Sequence, residues 1–354
     1  MSSELTLLIG TKRIGGWKSV EVIRSITQMA STFNLELTDV WDKEPTELVP
    51  ELSVTVLVGE DTLITGFIDN MSIDARVDSY DISVSGRCRT GDLIDCSAIN
   101  KPGTWKNIDL LRLAEDLVNP FGIKVIAETN LGEKIKEVSI STGETILDIL
   151  NKVCKERAVL SLGNTNGNLL LTIAGNDAST DNLVYGGNEG NVLTANIISN
   201  YIERFSLYQV KGQRKSEGDS WGKTTTNIFG EANDLSVNRY RPKLFSADGI
   251  TSNNSALKRA SWEAQVRAGR SNTVKVSVIG WTQSNGELWR ENRTVYAYLP
   301  PLRISAEMII EEIVYSLSES GKIATMTLVS PDTYSSEPKK VIKKKNRTSK
   351  FGWW

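Results

Sequence analysis

Histidine is absent from all 354 residues. That removes the imidazole base, the commonest metal ligand and the side chain that switches charge near neutral pH. Ser-His-Asp and Cys-His catalysis, HExxH zinc peptidases and haem held by a proximal histidine are excluded together. Cysteine is scarce. Cys88, Cys96 and Cys154 are odd in number and lack the close paired spacing of a zinc site or a thioredoxin motif. They read as small apolar thiols in or near a core, in a protein kept in a reducing compartment. No run nears the ~18 apolar residues of a membrane span. Met1-Ser2-Ser3-Glu4 has no basic stretch, and the apolar residues after it are soon broken by Lys12 and Arg13, so a signal peptide is not expected. A soluble protein made in the cytoplasm is the expectation.

What remains is ordinary globular material: 40% hydrophobic and 24% charged, enough for a core without disulfides or metal. The length suits two to three domains. Charge is unevenly spread. Residues 339–350 hold seven basic residues and no acidic one, so the rest of a chain whose net charge is −2 carries −9. A basic tail on an acidic body docks an acidic surface or stays solvated. Here the tail ends in Phe351-Gly352-Trp353-Trp354, and three aromatics in four residues are costly to leave in water. Lys339, Lys340, Lys343, Lys344, Lys345, Arg347, Phe351, Trp353 and Trp354 are therefore the candidate partner-docking residues.

The chain alternates between two textures. Residues 1–97 read as β: Val20, Val22 and Arg24 take successive same-face positions, and Phe33-Asn34-Leu35-Glu36-Leu37-Thr38 alternates strictly. Further strands fall at 53–58, 63–71 and 80–86, with Gly59-Glu60-Asp61 as a hairpin turn. Residues 98–180 read as a small α+β domain. Asn107 is placed to cap a helix running to Asn119, with Leu110, Leu111, Ala114, Leu117 and Val118 on one face. Strands at 123–127 and 134–140 follow. Ser141-Thr142-Gly143-Glu144 reads as a capping box opening a helix that carries Ile146, Ile149, Leu150, Val153 and Cys154 at helical spacing. A hairpin over 158–173 turns at Asn164-Thr165-Asn166-Gly167.

Residues 181–335 return to β, with a long loop or small insertion over about 212–250, where Gly, Ser, Thr, Asn and Asp concentrate. A helix fits 254–269, capped by Asn253 or Asn254. Strands at 273–281 and 287–299 flank Ser284-Asn285-Gly286, the strongest local hairpin signal in the chain. A last hairpin, 307–317 with 323–329, turns at Glu319-Ser320-Gly321. The expected class is mainly β with α+β: two barrel-like β units flanking a small α+β domain, with 336–354 as the tail.

No catalytic set emerges. Glu311-Glu312, Asp42 with Glu44, and Glu115-Asp116 are acidic neighbours a glycosidase could in principle use, but consecutive strand residues point to opposite faces. A solvated face accounts for them. Gly15-Gly16 and Gly186-Gly187 complete neither a dinucleotide fingerprint nor a P-loop. Neither a metal site nor a cofactor site is expected. Trp17, Trp262, Trp281 and Trp289 are more telling. The Asn-Gly turn brings Trp281 and Trp289 close, which suits core or cross-strand packing, or a subunit interface. Base stacking fits less well on an acidic body.

Three blocks carry a resemblance. The stretch 260–271, Val274-Lys275-Val276-Ser277-Val278-Ile279-Gly280-Trp281 and Gly286-Glu287-Leu288-Trp289-Arg290-Glu291-Asn292 resemble the baseplate hub (43 kDa tail protein, or tail protein P) family of Mu-like phages. That family shows a helix with a Trp and an Arg-Ser end, here Trp262 and Arg270, then a strand finishing in Gly-Trp and a Gly-x-Leu-Trp-x-x-Asn return. Gly16-Trp17-Lys18-Ser19-Val20 through Phe33 to Thr38, and Thr142 to Leu150, resemble it as well, so the likeness spans about 4–335 in order.

The resemblance implies relationship to the central hub of T-even phages and to the base of type VI secretion spikes. It also implies a homotrimer in which each subunit gives two tail-tube-type domains. Six such domains would stack on the hexameric tail tube, with the central spike at the other end and a channel for DNA. Partners would be the tube, the spike and other baseplate proteins, in the virion tail. Two other readings compete on residues alone: a cell-wall-binding or cell-wall-degrading tail component, and a DNA-binding protein using the Lys-rich tail.

Overall fold

Residues 4–39, 48–76, 80–101, 103–155, 157–188, 190–214, 226–247 and 252–334 are described by a computed structural model. The chain opens with β1 (Leu5–Ile9), β2 (Lys12–Ile14), β3 (Ser19–Ser25), β4 (Thr32–Asp39), β5 (Ser53–Val58), β6 (Asp61–Ala75) and β7 (Tyr80–Cys88). They line up antiparallel in the order β3-β4-β7-β6-β5-β1-β2. The period-two pattern does what it promises: β4 buries Phe33, Leu35 and Leu37 while Asn34 and Glu36 face water. In β3, Val20, Val22 and Arg24 are all buried. The sequence reading lacked β1 and β2, and a bulge between Ile68 and Asn70 lets β6 run to 15 residues.

A small α+β segment follows: α1 (Asp92–Asp95), β8 (Thr104–Ile108), α2 (Leu110–Val118), β9 (Val125–Ala127), β10 (Ile135–Ser139), α3 (Ile146–Lys155), β11 (Leu160–Gly163) and β12 (Leu169–Thr172). β10 pairs with β8, and β12 joins β11 antiparallel to β9 parallel. Helices α2 and α3 bury their apolar stripes in one core with Trp105, Ile123, Leu169 and Leu171.

Three local expectations are corrected here. Asn107 lies inside β8 with a left-handed φ of 53°, and Asp109 holds the N-cap position of α2. Starting the helix at Leu110 turns Leu113 inward and leaves Leu111 at 37% exposure. The box at 141–144 is half made: the Glu144 carboxylate accepts the Ser141 N–H at 2.8 Å. The reciprocal pair that opens α3 lies four residues on. Asp148 accepts the Thr145 N–H at 3.1 Å, and the Thr145 hydroxyl accepts the Asp148 N–H at 3.2 Å.

After β13 (Asp177–Ala178), β14 (Leu183–Val184) and β15 (Val192–Ser199), the chain enters a second compact unit, which among the described residues holds Ser199–Ser271 with Asp332–Tyr334. It contains β16 (Leu207–Arg214), β17 (Thr226–Asn233), β18 (Pro242–Ser246) and α4 (Asn253–Arg270), with strand order β17-β16-β18. The 212–250 stretch thus holds two strands of a sheet besides its loops. Its polar residues hid them, because one face is covered and the other is wet. Helix α4 packs on that sheet through Ala256 and Ala260 against Tyr208, Val210 and Ile228. Gly230 makes the approach possible, since a Cβ there would sit 2.2 Å from backbone atoms of Ala256 and Leu257. The α4 cap is Ser252, whose hydroxyl accepts the Ser255 N–H at 3.2 Å, in place of Asn253 or Asn254.

The first unit is completed by β19 (Asn272–Ile279), β20 (Arg293–Leu299), β21 (Ile304–Ser318) and β22 (Gly321–Val329). β21 and β22 form the expected hairpin. β19 and β20 do not: β19 pairs with β22, and β20 with β21. The Asn-Gly turn does form, with Gln283 N–H on the Glu287 carbonyl at 2.7 Å, but the ladder extends only through Thr282–Leu288 and Trp289–Trp281. Its residues grip the 177–184 segment instead. The buried Gln283 side chain accepts the N–H groups of Thr180 and Asp181, and Asn285 donates to the Thr180 hydroxyl.

β21 also pairs along its second half with β3, Val314 opposite Ile23 and Leu317 opposite Val20. The β strands from the two ends of the chain thereby merge into one fourteen-stranded sheet, β15-β19-β22-β21-β3-β4-β7-β6-β5-β1-β2, with β13, β14 and β20 branching from it. One core runs beneath both parts, from Leu5 and Val56 to Val276 and Ile313.

Candidate assembly surfaces

The residues singled out by the sequence fall into three classes. Trp17, Phe33, Trp281 and Trp289 are buried in the main core, each at 6% exposure or less. Trp281 donates its indole N–H to the Ser316 and Ile323 carbonyls at 3.1 and 3.2 Å and meets the Tyr315 ring edge-on at 6.2 Å. Tyr315 donates its hydroxyl to the Trp289 carbonyl. These aromatics hold the fold and leave no face for a partner. Trp262 and Arg270 sit on α4 in the second unit, where Trp262 is half-buried under the Arg259 guanidinium at 4.8 Å. Arg270 is exposed in the last helical turn, where a cation complements the helix dipole. The tail residues Lys339 to Trp354 lie outside the described residues.

The site that composition alone would not suggest is a buried ion pair. Arg24 of β3 meets Glu291, just after Trp289, with side chains 4% and 13% exposed. Its Nε donates to both carboxylate oxygens at 2.8 and 3.0 Å, and Nη1 donates to the Leu63 carbonyl at 2.6 Å. Burial opposes the charge on Glu291, but the adjacent guanidinium outweighs it and holds the carboxyl below its ordinary value. For Arg24 burial also works against the charge, and the Glu291 carboxylate more than offsets it. Next to it, Asn292 adopts φ 63° and ties the exit of the α+β segment: its side chain accepts the Gly175 N–H and donates to the Ile173 carbonyl, both at 2.9 Å.

Close backbone contact secures the other side. Gly163 donates its N–H to the Met29 carbonyl at 2.8 Å, and a Cβ on it would lie 2.5 Å from the Thr90 hydroxyl. Residues from three sequence-distant stretches are thus fixed around one point, which is construction and not chemistry. Arg24 was legible as a same-face position, and an arginine in an apolar row demands a carboxylate; only the partner's identity was hidden.

Known proteins are similar to this chain in sequence and fold. Mu phage baseplate assembly protein GpP-like, N-terminal, matches residues 4–88; baseplate hub protein gp44-like, second domain, matches 90–173; and the fourth domain of Mu phage baseplate assembly protein GpP matches 252–337. Baseplate hub protein gp44 of Escherichia phage Mu is 31% identical over 339 residues, 94% of this chain and 88% of that protein. The chain belongs to the Mu-like baseplate hub family. The fold agrees. The 43 kDa tail protein of prophage MuSo2 from Shewanella oneidensis superposes with a TM-score of 0.83 at 31% identity, covering 95% of this chain and 100% of that one. The E. coli c3393 protein, a type VI secretion component described as structurally similar to T4 tail proteins gp27 and gp5, shares the fold at a TM-score of 0.59. Its identity is 10%, covering 94% of this chain and 80% of its own. In this hub, the three family segments end or begin at structural joints: 88 closes β7, 173 follows β12, and 252 caps α4.

Proposed function

We propose that three copies of this hub close into a ring that joins the hexameric tail tube to the trimeric central spike and leaves a channel for DNA. The observation that carries the reading is the fourteen-stranded sheet itself. Two β-rich parts of one chain, fused through β3 and β21, let three subunits present six tube-like parts, which is how a threefold object can meet a sixfold one. The acidic body, at −9 outside residues 339–350, favours passage of DNA, since phosphates are repelled and not condensed. The role is structural and not enzymatic, in the baseplate of the virion, with synthesis in the host cytoplasm. The domain limits expected from sequence, with breaks at 97–98, 180–181 and 335–336, are retained in the proposal as functional blocks.

The basic, aromatic-ended tail is proposed to dock on an acidic neighbour, either the spike or another baseplate protein. The test of the ring is mass in solution by light scattering at two salt concentrations. A species at three times 39.1 kDa supports it. A chain that stays at 39.1 kDa at every concentration and adds nothing to purified tail tubes refutes it. Deleting residues 339–354 should leave the ring intact and weaken incorporation into baseplates; full incorporation would remove the tail from the account.

A further inference from the structure

The second unit is basic where the chain as a whole is acidic. Residues 199–271 hold twelve basic and seven acidic residues, so this stretch carries +5 in a chain whose net charge is −2. Apolar side chains also stand far into water here. Of the five most exposed large apolar residues among those described, three are Leu235 at 90%, Tyr240 at 81% and Ile202 at 69%. A single exposed leucine needs no explanation, but three such residues gathered at one end of one sheet do.

Hydrogen bonds bring them to that end. Leu235 and Tyr240 belong to the loop 234–241, which joins β17 to β18. Its first residue, Asp234, accepts from Arg204 Nε at 2.5 Å and Nη2 at 3.2 Å, with both side chains 9% exposed, and donates its N–H to the Ser206 carbonyl at 3.1 Å. Its last residue, Arg241, donates its N–H to the Ser206 hydroxyl at 2.8 Å and Nη2 to the Ile202 carbonyl at 2.7 Å. Within the loop, the Ser236 N–H bonds to the Asp234 carboxylate and the Val237 N–H to the Asp234 carbonyl. The loop is fastened at both ends to the 202–206 segment, so its apolar residues are held out in place. A surface ordered beforehand binds without the entropy cost of ordering it.

Three cations accompany the apolar residues. Arg239 is exposed, and Arg241 and Lys243 are half-buried with their charged groups 5.3 and 5.2 Å from the centre of the Phe205 ring. None of the three makes an ion pair among the described residues. Glu203 and Asp234, the acids of these two segments, are already matched by Arg267 and Arg204. An apolar centre beside unmatched arginine and lysine is the make-up of a protein-binding hot spot. Nucleic acid would engage the cations but gain little from Leu235 and Ile202.

We propose that this end of the second unit docks a short acidic segment of another protein of the phage tail. Its carboxylates would face Arg239, Arg241 and Lys243, and its apolar side chains would cover Leu235, Tyr240 and Ile202. Three such anchors offer on the order of 500 Å², below the ~800 Å² per partner of a standard stable interface, so a segment fits better than a second copy of the whole chain. The chain's own residues 339–350, with seven basic residues and no acidic one, have the wrong charge to fill it. The inference uses membership of the baseplate hub family and stands whether or not the ring forms.

The experiment puts the photocrosslinker p-benzoylphenylalanine in place of Leu235 in the full-length chain, irradiates phage tails assembled in the host, and identifies adducts by mass spectrometry. The expected adduct is with a net-negative segment of a protein other than the hub. Arg239→Glu/Lys243→Glu should cut the adduct yield per incorporated hub roughly tenfold, with circular dichroism unchanged. Leu235→Asp/Tyr240→Asp should lower hub incorporation by a similar factor. If the probe at 235 keeps the hub out of phage tails, position 240 carries it instead. An adduct with DNA would overturn the proposal in favour of nucleic acid, and one with a second hub chain in favour of a subunit contact. Phage tails that contain the probe and give no adduct, or an adduct indifferent to the charge reversal, would overturn it outright.

Discussion

Replacing Arg24 with Met tests the construction at its most exacting point. The substitution keeps much of the side-chain length and removes three donor nitrogens: Nε and Nη2 aimed at Glu291 and Nη1 at the Leu63 carbonyl, at distances of 2.5–3.0 Å. Glu291 then stays in a site where its side chain is 13% exposed, with no cation against it. Removing one member of a buried pair costs about 3–5 kcal/mol, mostly as the penalty on the charge left behind. For a unit of this size, at about 2–4 °C per kcal/mol, the melting midpoint should fall by roughly 6–20 °C.

The loss should depend on pH in a definite sense. In the native chain the Glu291 carboxyl is held below its ordinary value, so its contribution is complete above the unfolded value near ~4.3 and fades as pH falls through the folded value. In the variant, burial without Arg24 pushes the carboxyl up, so it refolds protonated and the penalty grows as pH rises. The gap between the two proteins should therefore widen from pH 5 to pH 7.5. Urea unfolding followed by tryptophan emission reads it, because Trp281 and Trp289 lie in the same core. Adding Glu291→Gln to Arg24→Met should recover part of the loss. A gap under about 1 kcal/mol at pH 7.5, or a double variant no more stable than the single one, would refute the reasoning.

Further outcomes follow from packing and exposure. Gly230→Ala should destabilise the second unit by about 1–3 kcal/mol, because a Cβ would press on the α4 backbone; proteolysis confined to 199–271 would report it. Thr145→Ala should cost about 0.5–2 kcal/mol through the lost α3 cap, measured by thermal melting. Of the three thiols, Ellman's reagent should find one in the native chain. Cys96 is exposed, Cys88 is buried, and burial pushes Cys154 up to about 12. Fast reaction of a second thiol would show that a core opens.

How much of this could be read from the residues depends on the range of the interactions involved. Alternation at Phe33, Leu35 and Leu37, and the helical stripe from Ile146 to Cys154, are local patterns that survive into the fold because burial follows them directly. Caps were misplaced by a few residues at Asn107, which lies within β8, and at Ser141, where a turn comes before the Thr145 cap. The Asn-Gly signal correctly located a turn but not a hairpin. Gln283 and Asn285 spend their hydrogen bonds on 177–184, a constraint no window around residue 285 contains. Short β1 and β2 left too few residues to show a period. The Arg24–Glu291 pair and the β3–β21 ladder join positions nearly three hundred residues apart, and only tertiary structure can specify those.

That ladder also sets a clock. Ser25 of β3 is paired with Glu312 of β21, so the third strand made waits for nearly the last before its second edge is filled. At bacterial elongation rates of about 5–20 residues per second, the delay is roughly 15–60 s. Throughout it the nascent chain holds an unfilled sheet edge while still on the ribosome, and its contact order is correspondingly high. A chain released early, lacking β21, cannot close this sheet. Completion of translation thus limits when this sheet can be finished.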